Sequence, residues 1–159
     1  MRTKAENDPP YAKVLFRVVG EKDEVDVETL WAHELGGDMY RLANIPFYAY
    51  SISWEDTVYA PFSNEEQLPT FERVIEKSGN RTIRIVFDQP VQDGNPSDQI
   101  LQGLVELGCS YEGASPEYVS INVPIDVDLD KVTAYLIASE VNWEHADPTF
   151  EELFPNSIS

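Results

Sequence analysis

The sequence predicts an α+β protein: a small bent antiparallel sheet or partial barrel over residues 12–78, then a ferredoxin-like βαββα unit over residues 79–159. Three observations predict it. Short β-branched and aromatic runs, punctuated by Gly, Pro, Asn and Asp, fill the first half of the chain. From residue 81 the pattern changes to an alternation of strand and helix. The 159 residues are 42% hydrophobic, which suits one domain or two small lobes and calls for no disulfide staples.

The elements follow in order. The polar opening MRTKAENDPP makes residues 1–11 an expected disordered tail. Residues 12–19 (AKVLFRVV) read as a strand, and Glu21–Glu24 as a charged turn. Residues 25–34 alternate and form a second, antiparallel strand: Val25, Val27, Thr29 and Trp31 on one side, Asp26, Glu28 and Leu30 on the other. Gly36-Gly37-Asp38 supplies a turn before a strand from Met39 to Leu42, which Asn44-Ile45-Pro46-Phe47 interrupts because proline donates no ladder hydrogen bond. Further short strands are expected at Tyr48–Ser53, Thr57–Pro61 and Phe71–Lys77, before a turn at Gly79-Asn80.

Arg81–Phe87 is a strand with Ile83, Ile85 and Phe87 inward. A helix follows, capped by Asn95, with Pro96 at its first position and Gly108 to end it. Its apolar stripe is Ile100, Leu101, Leu104, Val105 and Leu107. A short strand fits Ser110–Gly113, and residues 117–123 alternate with Val119, Ile121 and Val123 inward. Asp126 or Asp128 caps a second helix running to about Val141, and PTFEELFPN suits a short terminal helix.

Charge is the strongest functional signal. The net charge is −18. Residues 1–90 hold 10 Lys/Arg against 16 Asp/Glu, whereas residues 91–159 hold Lys131 alone against 13 Asp/Glu. Such a field disfavours direct contact with nucleic acid or an anionic membrane and favours a basic protein partner reached by electrostatic steering. A plain solubility role for the charge, as in a housekeeping interaction module, is the alternative. With no apolar leader and no apolar run of about 20 residues, the expected compartment is the cytoplasm.

Catalytic motifs are absent from the sequence: it contains no GxSxG, HExxH or GxxxxGK[ST]. The single cysteine, Cys109, reads as a small buried hydrophobe. Asp126, Asp128 and Asp130 have the alternation of a calcium loop but lack its glycine, since Lys131 and Val132 follow, so a helix cap explains them better. Glu144, His145 and Asp147 could form a metal or acid–base set only if the local chain folds them together. His33 reads as a structural or surface histidine. No cofactor, metal or enzyme activity is expected. The expected partner-binding residues are Asp126, Asp128, Asp130, Glu140, Trp143, Glu144, Asp147, Glu151 and Glu152, with Phe150 and Phe154 among them, because acids steer and aromatics anchor.

The stretches VETLWAHEL, YRLANIPFYAYSISWEDTV and FERVIEKSGNRTIRIVF resemble a bacterial family, domain-of-unknown-function family 4265, over roughly residues 12–150. The resemblance is carried by Glu28, Leu30-Trp31-Ala32, Asn44-Ile45-Pro46-Phe47, Asp56 before Val58, and Ser78-Gly79 followed by Thr82 and Arg84. It implies a bacterial cytoplasmic protein and no established activity. The C-terminal unit also resembles small acidic ferredoxin-like regulators that bind ribonucleases, and small acidic proteins without an active site resemble immunity proteins. The expected function is therefore non-enzymatic: an immunity protein or inhibitor that occludes a basic toxin or nuclease-type enzyme.

Overall fold

The computed structural model describes residues 11–19 and 25–156. The expected charged turn at Glu21–Glu24 lies outside these residues, as does the expected tail, except for Tyr11, which opens the first strand. The protein is α+β: the described residues form mostly antiparallel sheets and three short helices. No helix among the described residues is long and apolar enough to cross a membrane. By its internal contacts the chain divides into two units: residues 1–44 with 55–78, and residues 45–54 with 79–159. The expected first lobe of 12–78 thus gives up residues 45–54, which pack with the second unit.

In the first unit, β1 (Tyr11–Val19), β2 (Val25–Gly36), β3 (Met39–Leu42), β4 (Thr57–Tyr59) and β7 (Arg73–Glu76) form an antiparallel sheet in the order β1-β2-β3-β4-β7. Two strands of two residues, β5 (Phe62–Ser63) and β6 (Leu68–Pro69), form a separate hairpin. No ladder joins β7 back to β1 among the described residues, but β1 meets the segment that leads into β7: Leu15 bridges Thr70 in parallel, and its carbonyl accepts the Phe71 amide at 2.9 Å, so the sheet bends back on itself. Val14, Phe16, Leu30, Ala32, Tyr40, Leu42 and Val58 are buried. On β2 the inward face is Glu28, Leu30 and Ala32, while Val25, Val27 and Trp31 are exposed. Asp56 is fully buried, and its carboxylate takes the Lys77 ammonium at 2.5 Å and the Ser78 amide at 2.8 Å.

The second unit runs β8 (Arg81–Val86), α1 (Pro96–Glu106), β9 (Ser110–Gly113), β10 (Tyr118–Val123), α2 (Leu129–Ala138), β11 (Asn142–Asp147) and α3 (Phe150–Leu153). Its sheet has the order β11-β8-β10-β9, every neighbour antiparallel. Asn95 caps α1 by accepting the Asp98 amide, Pro96 opens the helix, and Gly108 follows its last turn at φ 107°, a conformation that favours glycine. Asp128 rather than Asp126 caps α2, which ends at Ala138. A final strand over residues 142–147 was not expected.

The two faces of this sheet bury different chemistry. Ile83, Ile85, Val119, Ile121 and Val123 pack with Leu101 and Leu104 of α1 and Val132 and Leu136 of α2 in one apolar core. On the other face, Thr82, Arg84, Ser120 and Asn122 are buried as well. Residues 45–54 cover them. This segment was expected to contribute a strand at Tyr48–Ser53. It forms none, because its main-chain groups serve side chains of the sheet instead. The carbonyl of Pro46 accepts from Ser120 Oγ at 2.7 Å and from Arg84, that of Ala49 accepts from Arg84, and that of Ile52 from Thr82 at 3.3 Å. Ser53 Oγ lies 2.7 Å from Thr82 Oγ1 and donates to Asp147 at 2.5 Å. Buried polar groups need such partners, and here an irregular segment supplies them.

Candidate partner-binding groove

β11 is an edge strand, and its alternation sends Trp143 and His145 to one face and Glu144 to the other. Trp143 packs against the apolar core and meets the His145 ring edge-on at 4.9 Å. Glu144 lies on the polar face, where the Tyr50 hydroxyl donates to its two oxygens at 2.8 and 3.1 Å and Arg84 Nη1 sits 4.0 Å away. A bulge between His145 and Asp147 turns Asp147 onto the face of Thr82.

Beside this edge runs a groove of about 790 Å³. Thr133 and Ile137 of α2, Trp143, Glu144 and His145 of β11, Thr149, Phe150, Glu151 and Phe154 of the terminal segment, and Tyr50 line it. Ile137, Tyr50, Phe150 and Phe154 are all exposed. A reciprocal capping box fixes α3: Thr149 Oγ1 accepts the Glu152 amide, and Glu152 accepts the Thr149 amide. Glu152 also accepts from Ser51 Oγ at 2.7 Å. Burial lowers the His145 pKa, because the cation loses water without gaining a partner charge. Burial likewise raises the Tyr50 pKa, and the Glu144 carboxylate adds to the rise.

The structure divides the nine expected binding residues. Trp143, Glu144 and Glu151 meet in the groove. Asp126, Asp128 and Asp130 sit at the start of α2 and Glu140 beyond its end, about 15 Å apart along a ten-residue helix, so these acids do not form one continuous patch with each other. Asp128 is committed to its cap and Glu152 to the capping box. Asp147 is a correction: it is 5% exposed and bonded to Ser53, so it offers no surface to a partner. The candidate Glu144–His145–Asp147 set does not converge, since Glu144 and His145 leave opposite faces of the strand. No group of three or more His, Cys, Asp or Glu residues poised for a metal ion occurs among the described residues. Cys109 is buried, and its thiol is pushed up to about 11 by desolvation.

Four lining residues, Tyr50, Thr133, Ile137 and Thr149, lie outside the set expected from the sequence. Ile137 carried a signal, being a large apolar residue of α2 that stands apart from Leu129, Val132, Tyr135 and Leu136, which pack on the core. Tyr50 carried only the aromatic richness of PFYAYSISW.

Residues 28–146 match the family described as Domain of unknown function (DUF4265). The chain belongs to this family. No curated protein matches it significantly. It is similar in fold to a solved structure titled as a novel crystal structure of a hypothetical protein from Neisseria gonorrhoeae, with a TM-score of 0.74 and 19% identity over 89% of this chain and 97% of that one. Residues that carry the resemblance in the sequence pair in space: Asn44 Oδ1 accepts the Trp31 amide at 2.8 Å, the Asp56 carboxylate accepts the Ser78 amide, and the Pro46 carbonyl accepts from Arg84.

Proposed function

We propose that the protein is a non-enzymatic binding protein that engages a basic protein partner through the groove beside β11, in the manner of an immunity protein or inhibitor covering a basic toxin or nuclease-type enzyme in the cytoplasm. The observation that carries this reading is the groove itself: exposed Tyr50, Ile137, Phe150 and Phe154 stand beside Glu144 and Glu151. Aromatic anchors rimmed by one sign of charge are what a desolvated contact with an oppositely charged surface uses.

The surrounding charge supports it. Of the three cations in the second unit, Arg84 is buried and Arg81 turns its guanidinium onto the carbonyls of Pro124 and Val127, leaving Lys131 as the exposed one among the described residues. The surface is thus more anionic than the composition alone conveys. The order β11-β8-β10-β9 of a β-α-β-β-α-β unit supports a ferredoxin-like reading of this half of the chain.

The test is association of the purified full chain with its basic partner at ~50 and ~500 mM salt, alongside Glu144→Gln and Glu151→Gln. Affinity is expected to fall at least tenfold with salt and to fall with each substitution. Equal binding at both salt concentrations would remove the electrostatic mechanism.

A further inference from the structure

Side chains from both faces of β11 line a single groove, Glu144 and Tyr50 from one and Trp143, His145 and Ile137 from the other. They can share one cavity only where the floor of that cavity is the strand's own open edge. β8 occupies one edge of β11. At Ala146 further groups are used, since its carbonyl accepts the Ser51 amide at 2.8 Å and it bridges to Thr149. Over Asn142–His145 the backbone makes no hydrogen bond away from β8 among the described residues. Unpaired N–H and C=O groups on an edge are a template for another strand.

We infer that the groove takes its partner by strand addition: an extended segment with alternating apolar and basic side chains pairs with the outer edge of residues 142–145. In that geometry alternate side chains of the added strand fall on opposite faces. Apolar ones fall on the side of Trp143, Ile137 and Phe154, and basic ones on the side of Glu144. The alternation demanded of the partner is thus set by the alternation of β11 itself. A second copy of this chain is a poor occupant, because each carries −18 and the approach would be repulsive. The inference rests on the acidic-groove reading and names the mode and sequence class of its ligand.

The experiment titrates isotope-labelled full-length protein with a capped Arg-Val-Arg-Val-Arg-Val-Arg-Val peptide at ~50 mM salt. Two further peptides are N-methylated at every valine or at every arginine, which keeps the charge but removes the donors of one edge. The parent is expected to shift the resonances of residues 142–145 and to protect the amides among them that face away from β8, and one N-methylated peptide is expected to bind at least tenfold more weakly. If all three bind alike while Glu144→Gln and Glu151→Gln still weaken them, strand addition is overturned and the acidic groove stands. If no peptide perturbs the groove, both are overturned. Shifts confined to residues 126–130 overturn the strand mode as well.

Discussion

Replacing Arg84 separates what its stem contributes from what its charge contributes. The residue is 1% exposed, its ring neighbour Tyr50 lies 5.0 Å from the guanidinium carbon, and it donates to the carbonyls of Pro46 and Ala49. Its Nε and Nη1 have no hydrogen-bond partner among the described residues, although Nη1 stands 4.0 Å from the Glu144 carboxylate. Hydrogen bonds from a charged donor stabilise by about 1.5–3 kcal/mol, but each orphaned buried donor costs about 1–3 kcal/mol, so the polar contributions nearly cancel. The stem does not cancel: about 0.8 kcal/mol per buried methylene, plus the cavity left behind, gives roughly 2–3 kcal/mol. Arg84→Met retains a stem of similar reach and is expected to cost about 1 kcal/mol, whereas Arg84→Ala is expected to cost about 3 kcal/mol. Urea unfolding reads the difference: with m near 2 kcal/mol/M, the two midpoints should differ by about 1 M. Loss of exchange protection at the Ser51 amide would locate the damage in the 45–54 cover. If Arg84→Met proves as unstable as Arg84→Ala, the guanidinium bonds hold the cover and the cancellation is wrong.

Other outcomes follow from single sites. Cys109, buried with its thiol near 11, should resist a disulfide reagent at pH 8 in the native protein and react fully in urea, as a colorimetric thiol assay reads. His145 has a folded pKa below the ordinary 6.5, so the unfolded chain binds the extra proton first. Its contribution is complete above pH 6.5 and is lost as pH falls toward the folded value, so the stability difference between pH 7 and pH 5 should shrink in His145→Gln when both are unfolded in urea. Thr149→Ala removes one arm of the capping box and should destabilise α3 by about 1 kcal/mol, read as faster amide exchange at Glu152.

The apolar half of the fold was legible because its periodicities are clean. Ile83 and Ile85 on β8, Val119, Ile121 and Val123 on β10, and the Asn95–Pro96 start of α1 all read directly from spacing and capping chemistry. The polar face of the same sheet was not legible. Thr82, Arg84, Ser120 and Asn122 alternate with apolar residues as a solvated face does, and nothing local announces that residues 45–54 will cover them. Tyr48–Ser53 reads as a strand from its residue types, yet its carbonyls are claimed by Arg84 and Thr82, a long-range choice that propensity does not contain. The unexpected β11 has a similar cause. Asn142–Asp147 carries Glu, His and Asp, residues poor in strand propensity, and is held there by pairing with β8. Of the candidate site, the aromatics and acids of the C-terminal run were visible, but not that Asp147 would be buried or that Glu152 would be spent on a cap.

The contribution of residues 45–54 makes the second unit discontinuous in the chain. A fragment beginning at residue 79 would keep all three helices and all four strands of the unit yet arrive without the acceptors that Arg84, Thr82 and Ser120 require. Such a fragment should be sticky and poorly soluble rather than a miniature of the unit. The practical boundary for cloning, for splitting the protein into reporters, or for grafting its groove elsewhere therefore lies before Ile45 and not at the visible turn of Gly79.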